Sequence, residues 1–300
     1  MKNTSLIRSV LFLMLPVFAA PGLLPAAPQA QSAPLRVMLL SGSNNHNWRA
    51  TTPELCATLR ECGRFQVDVI EDVAALNPPD FAPYDVVVSN FNTFQTRAIE
   101  RDGKRTHELV SVPVAHVWDE AVREAFLARI RAGGGFVVVH AGSCCFYDWP
   151  EFQRLAATTW TYGRTSHGLR HAAPVTFTDA EHPVTRGLAP FWTYDEFWEN
   201  LVVQPGAVPL AEAVPAVEHR GGGQPAPILF ATELGRGRGF CLLLGHDVAA
   251  MRNPAFRTLL KRGTEWAASG AVTLPPDPGW PATEQAAQAL TETPWARKRR

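Results

Sequence analysis

Four short apolar runs constrain this chain more than any other feature. They are LRVMLL (Leu35–Leu40), VVV (Val86–Val88), FVVV (Phe136–Val139) and FCLLL (Phe240–Leu244). Each is too short for a buried helix and lacks the polar alternation of a half-exposed strand. Each therefore reads as a strand covered on both faces. The intervening segments supply the covers. Thr51 to Cys62 carries Leu55, Leu59 and Cys62 at helical spacing and stops at Gly63. Asp119 opens a second helix with Val122, Phe126 and Ile130 on one face, and Gly133–Gly135 closes it. FQVDVIED (Phe65–Asp72) alternates as a strand. The first half thus runs β-α-β, β, α-β, the pattern of a parallel sheet with helices on both faces. In the second half AAPVTFTD, AVPLAEA, PILFATE and RGFCLLLG are strand-like, the last two form a hairpin, and a helix runs from Asn253 to Ala268. The expected fold is an α/β three-layer sandwich with a mostly parallel central sheet and an added antiparallel hairpin region.

The two ends read differently. Lys2 and Arg8 precede an apolar stretch from Val10 to Leu24, and small residues Ala26, Ala27 and Ala30 follow. That is the layout of a secretory leader, so residues 1–31 are expected to be a signal peptide and the mature protein periplasmic or secreted. Pro16, Pro21 and Gly22 break the stretch, which argues against a permanent membrane span. Residues 35–270 follow as one domain. Pro275, Pro276, Pro278, Pro281 and Pro294 make 271–300 a Pro-rich, loosely docked tail. With 300 residues, 46% of them hydrophobic, and a formal net charge of +0, the chain can bury one sizeable core and has no charge surplus that calls for a nucleic-acid partner. Five cysteines is an odd number, and their placement suits buried free thiols rather than a disulfide framework.

Ligands of an open parallel sheet bind at the carboxyl ends of its strands. Here those ends are polar. The first strand runs into Ser41-Gly42-Ser43-Asn44-Asn45-His46, the next into Asn90-Phe91-Asn92, the third into His140, and the last into Gly245-His246-Asp247. Together they predict one crevice. Each has a plainer reading: His46 or Asp247 as a helix cap, His140 as a core histidine held by a carbonyl. GRGRG (Gly235–Gly239) lies between two strands, so it is a hairpin turn rather than a phosphate loop. A nucleophile elbow at Ser143 or Cys144 would need small residues two positions either side; Phe146 violates this for Cys144, and Ser143 has a tolerable but glycine-poor frame.

Several stretches in order resemble the ThuA-like, or trehalose-utilisation, family: VVVHAG (Val137–Gly142), GRTSHG (Gly163–Gly168), EHPVTRGL (Glu181–Leu188), YDEFW (Tyr194–Trp198) and LLGHD (Leu243–Asp247) before NPAFRTLLKRGTEWAA. The resemblance covers about Arg36 to Ser269. It implies a flavodoxin-like, class I glutamine amidotransferase-like fold in which Ala141 and Gly142 stand where an amidotransferase keeps its nucleophile. It implies site roles for His140, His167, Glu196 and His246, with Asp195 and Asp247 beside them, and an association with sugars, including oxidised 3-keto sugars. Since Asp195 and Glu196 alternate on a strand, only one should face the crevice. His46, Asn92, Trp149, Asp195 and Asp247 are expected to contact a carbohydrate, with Trp48, Phe91, Trp160 and Trp198 as further stacking candidates. The histidines and a carboxylate could serve as general acid and base, or His140, His167 and His246 with Glu196 could hold a divalent metal such as zinc. Three functions remain open: an exported sugar-active hydrolase, lyase or isomerase, a non-catalytic sugar-binding protein, and a Ser/Cys hydrolase of amidotransferase type.

Overall fold

The computed structural model describes residues 33–94, 96–109 and 117–293; the leader expected at 1–31 lies outside them. From β1 (Leu35–Leu40) the chain enters α1 (Trp48–Arg60), β2 (Phe65–Ile70) and β3 (Val86–Ser89). A separate hairpin, β4 (Thr96–Arg101) and β5 (Lys104–Leu109), precedes α2 (Glu120–Arg131) and β6 (Gly135–Val139). Then come α3 (Pro150–Leu155), β7 (Ser166–His167), β8 (His171–Phe177), β9 (Phe191–Asp195) and β10 (Trp198–Glu199). β11 (Val208–Ala213), β12 (Ala226–Leu234) and β13 (Gly237–Leu242) complete the strands, and α4 (Val248–Met251), α5 (Pro254–Ser269) and α6 (Glu284–Leu290) close the chain.

Nine strands form one sheet in the order β2-β1-β3-β6-β13-β12-β11-β8-β9. β2 through β13 pair in parallel, and β13 through β9 pair antiparallel. The change of direction occurs at the β12–β13 hairpin, whose two-residue turn carries Gly235 at φ +63°. That is where GRGRG sits, and a positive φ is what glycine permits.

The parallel half is covered on both faces, as its uninterrupted apolar strands require. Phe136 of β6 packs against Phe126 of α2 and Phe152 of α3, with ring centroids 5.4 Å away in each case. On the other face Phe240 of β13 lies so close to α5 that a Cβ on Gly263 would enter its ring. Capping follows the sequence: Asp119 accepts from the Val122 N–H at 2.9 Å and Asn253 from the Ala255 N–H at 2.8 Å.

The C-terminal segment is a correction. As far as residue 293 it is built into the fold rather than loosely docked. Buried Lys261 of α5 donates to Asp277 at 2.5 Å and to Glu61 at 2.9 Å. The Ala282 carbonyl accepts from the Trp192 N–H at 2.8 Å, Trp280 packs on Phe191 with centroids 5.1 Å apart, and α6 lies against β8 and β9. Between these anchors the chain turns at Pro278-Gly279, closed by the Trp280 N–H donating to the Asp277 carbonyl at 3.1 Å. All five cysteines are free thiols, and only Cys62 is not fully buried. Among the described residues no helix is long and apolar enough to cross a membrane.

Candidate metal centre and cleft

β6 ends on Val139, and His140 opens a short 3-10 turn, His140–Ser143, with its backbone at φ +46°. A side chain in the left-handed region costs about 1–2 kcal/mol, so something must hold the turn. Ser89 at the end of β3 donates through Oγ to the Gly142 carbonyl at 2.9 Å, and Asn92 Nδ2 donates to the Ala141 carbonyl at 3.0 Å. A Cβ on Gly142 would collide with the Ser89 backbone, so glycine lets the turn sit this tightly. His140 Nδ1 donates to the Leu243 carbonyl at 2.7 Å. That fixes the tautomer and turns Nε2 toward Glu196, buried and without a hydrogen bond.

His46 and His246 arrive beside it from the loops after β1 and β13. Ring centroids lie 4.7 Å apart for His46–His140, 4.6 Å for His46–His246 and 5.3 Å for His140–His246. His46 is held through Asn44, whose Oδ1 accepts from the His46 backbone N–H at 2.8 Å and lies 3.1 Å from Nδ1. Asn44 Oδ1 in turn accepts from Asn92 Nδ2 at 2.9 Å. The N-cap position of α1 is Asn47, not His46.

Glu196 completes the cluster. Its Oε1 accepts from the Trp198 indole N–H at 3.0 Å and lies 3.6 Å from His140 Nε2. Its Oε2 lies 3.4 Å from His246 Nδ1. Burial works to raise the Glu196 pKa, but His140 and His246 outweigh it and hold the carboxyl well below the usual range. Burial would likewise lower the His140 pKa, and the Glu196 carboxylate, with Asp195 behind it, raises it instead. One donor atom each from His46, His140, Glu196 and His246 lies within 4.8 Å of the others. Three imidazoles crowded around one carboxylate, two of them with buried nitrogens lacking a partner, enclose a space that suits a cation. The donor set suits zinc or a similar divalent ion.

Above the cluster is a cleft of about 240 Å³, lined by Asn45, Phe94, Trp160, His167 and Trp198 among others. Trp160 and Trp198 meet edge to face at 5.3 Å, and Phe94 stands 6.3 Å from Trp160. His167, on the short β7–β10 ribbon, sits at the rim with its side chain 39% exposed and Nδ1 3.4 Å from Glu196 Oε2.

The structure thus brings His140, His246 and Glu196 together as expected, with His46 as the fourth donor where His167 had been expected as a ligand. His167 is kept at the rim by its ribbon, whereas the Asn44–Asn92 bridge folds the β1 loop over the turn. Asn92 faces that bridge rather than the cleft. Trp149 is a correction: it is buried in a core cluster with Trp118, Phe126, Phe146 and Phe152, and does not line the cleft. Asp247 caps α4, accepting from the Ala250 N–H at 3.0 Å, and pairs with Arg170. Asp195 is fully buried behind Glu196, its pKa raised by burial against the pull of His140 and three backbone N–H groups. Phe91 belongs to the core, and Trp48 carries the Arg49 guanidinium over its ring. For a covalent elbow the geometry is poor: Ser143 is fully buried, and burial pushes the Cys144 thiol up to about 11, away from the reactive thiolate.

The family model for ThuA, trehalose utilisation, matches residues 36–267. A protein from Parabacteroides merdae described as ThuA-like has a solved structure that is 29% identical, with a TM-score of 0.69 over 83% of this chain and 95% of that one. A second ThuA-like protein, from Bacteroides uniformis, is 16% identical, with a TM-score of 0.54 over 82% of this chain and 98% of that one. A cytoplasmic protein of Salmonella typhimurium is 13% identical, with a TM-score of 0.54 over 80% of this chain and all (100%) of that one. The last two share the fold alone. No curated protein matches the sequence.

Proposed function

The chain belongs to the ThuA family, and on that premise we propose that it is a metal-assisted enzyme acting on a neutral sugar or an oxidised, 3-keto, sugar derivative. The observation that carries the proposal is the convergence of His46, His140, His246 and Glu196, with donor atoms within 4.8 Å, at the floor of an aromatic-walled cleft. A divalent ion held there would act as a Lewis acid on a substrate oxygen.

The protein's own groups supply the rest. Trp160, Trp198 and Phe94 offer apolar faces for a sugar ring. The lining includes no lysine or arginine among the described residues, and its walls are aromatic and neutral polar groups around the histidine–carboxylate floor. At about 240 Å³ the cleft is smaller than pockets that enclose drug-sized ligands, which begin at roughly 300 Å³. It fits one ring, with the remainder of a larger sugar outside. His167, accessible at the rim and outside the four-donor cluster, is suited to move a proton at the substrate. The leader-like amino terminus supports an exported, periplasmic or secreted enzyme, checked by cell fractionation.

The test is the metal content of the purified protein, with turnover of an oxidised disaccharide measured alongside. About one equivalent of a divalent ion, lost together with turnover in His246→Ala, is expected. A protein that takes up no zinc after dialysis against it would overturn the metal reading. Sugar binding without turnover would make the chain a binding protein.

A further inference from the structure

We infer that Asp195 is the positioning residue that joins the two halves of the metal centre. The inference rests on the metal reading above. Glu196 follows β9 at one edge of the sheet, whereas His246 follows β13 near its middle, and three strands separate the two. No ladder hydrogen bond therefore sets one relative to the other. Asp195 does so directly. Its Oδ1 accepts from the Glu196 N–H at 2.9 Å and the His246 N–H at 3.1 Å, and its Oδ2 accepts from the Gly245 N–H at 2.6 Å. One fully buried carboxylate thus grips the backbone of both donor residues.

Three N–H donors need both oxygens as acceptors. Asparagine at this position keeps the shape but offers one acceptor oxygen, and its NH₂ would confront an N–H. Either the Gly245 arm or the shared Glu196–His246 arm is then lost. Groups that orient metal ligands from behind typically contribute 10–100-fold in affinity. A merely structural role would cost stability without altering the metal's coordination.

Cobalt(II) is a suitable probe, because its visible absorption reports coordination geometry as well as occupancy. Titration of the metal-free full chain with cobalt is expected to give roughly 10–100-fold weaker binding in Asp195→Asn, with an altered spectrum. Glu265→Gln is the control for general loosening: it removes another buried carboxylate that accepts backbone N–H groups, at Thr273 and Leu274, and no residue of the cluster. Its cobalt affinity and spectrum should match the parent. If Asp195→Asn does not fold, Asp195→Glu keeps the charge but shifts the oxygens by one methylene and should still change both readouts. Parent-like affinity and spectrum in a folded Asp195 variant, or an equal loss in the Glu265 control, would overturn the inference while leaving the metal centre intact. A parent protein that binds no cobalt would overturn both.

Discussion

Replacing His140 removes one of the four proposed metal donors and leaves the Leu243 carbonyl, now 2.7 Å from Nδ1, without its partner. A buried acceptor left unpaired costs about 1–3 kcal/mol. For a fold of this size, about 1 kcal/mol corresponds to about 2 °C in melting temperature. His140→Ala without metal should therefore melt about 2–6 °C below the parent and remain folded. The backbone adds a second, separable term. At φ +46° alanine is strained much as histidine is, by about 1–2 kcal/mol, whereas glycine is not. Glycine's greater unfolded-state freedom returns about 0.5–1 kcal/mol of that. His140→Gly should then melt about 1–2 °C above His140→Ala, the reverse of the usual order.

Metal supplies the third measurement. If the cluster binds zinc as proposed, zinc at 100 times its dissociation constant should stabilise the parent by about 2.7 kcal/mol, or about 5 °C. Both variants should lose that shift. Calorimetric melts in chelator and in zinc separate the effects. A variant that keeps the full zinc shift would refute the ligand role of His140. Alanine melting above glycine would refute the left-handed backbone argument. An unfolded alanine variant would make His140 a core residue first.

Two further outcomes test the rest of the fold. Lys261→Met leaves Asp277 buried without its cation, which should cost about 3–5 kcal/mol and open the chain between residues 270 and 283 to limited proteolysis; unchanged resistance would mean that the segment is held without this pair. Burial tends to raise the Glu265 pKa, but hydrogen bonds from Thr273, Leu274 and Arg64 outweigh it and lower it. A depressed folded-state pKa contributes stability that is present above the ordinary carboxylate range, near pH 4 to 5, and is lost as pH falls through the folded value. Melting temperature against pH should therefore fall less steeply on the acid side in Glu265→Gln than in the parent, and parallel curves would sink the assignment.

What could be read in the sequence was whatever rests on local chemistry. Apolar runs without alternation required burial on both faces, and that required the parallel half of the sheet. His140 and His246 were legible because parallel strands end on one side. The missing parts depend on contacts distant in sequence. Period-two alternation showed that either Asp195 or Glu196 faces the cleft, yet the choice is made by the Gly245 and His246 N–H groups, fifty residues away, which hold Asp195 inward. Which of His46 and His167 joins the cluster turns on the Asn44–Asn92 bridge across 48 positions. The run Asn44-Asn45-His46-Asn47 was the available signal, since so many side-chain amides at a strand end imply a built loop. Trp149 could not be told from a cleft wall because core and wall aromatics share one composition. The β4–β5 turn carried a hairpin dipeptide, Asp102-Gly103, with both residues at positive φ, but charged flanks hid the strands. These gaps have one physical origin. Secondary structure is set by neighbours within a few residues, whereas the cluster of His46, His140, Glu196 and His246, drawn from the ends of β1, β6, β9 and β13, is set by polar groups that tie those ends together. Asp195 and Asn92, which need not touch a ligand, thus decide which histidines and which carboxylate can.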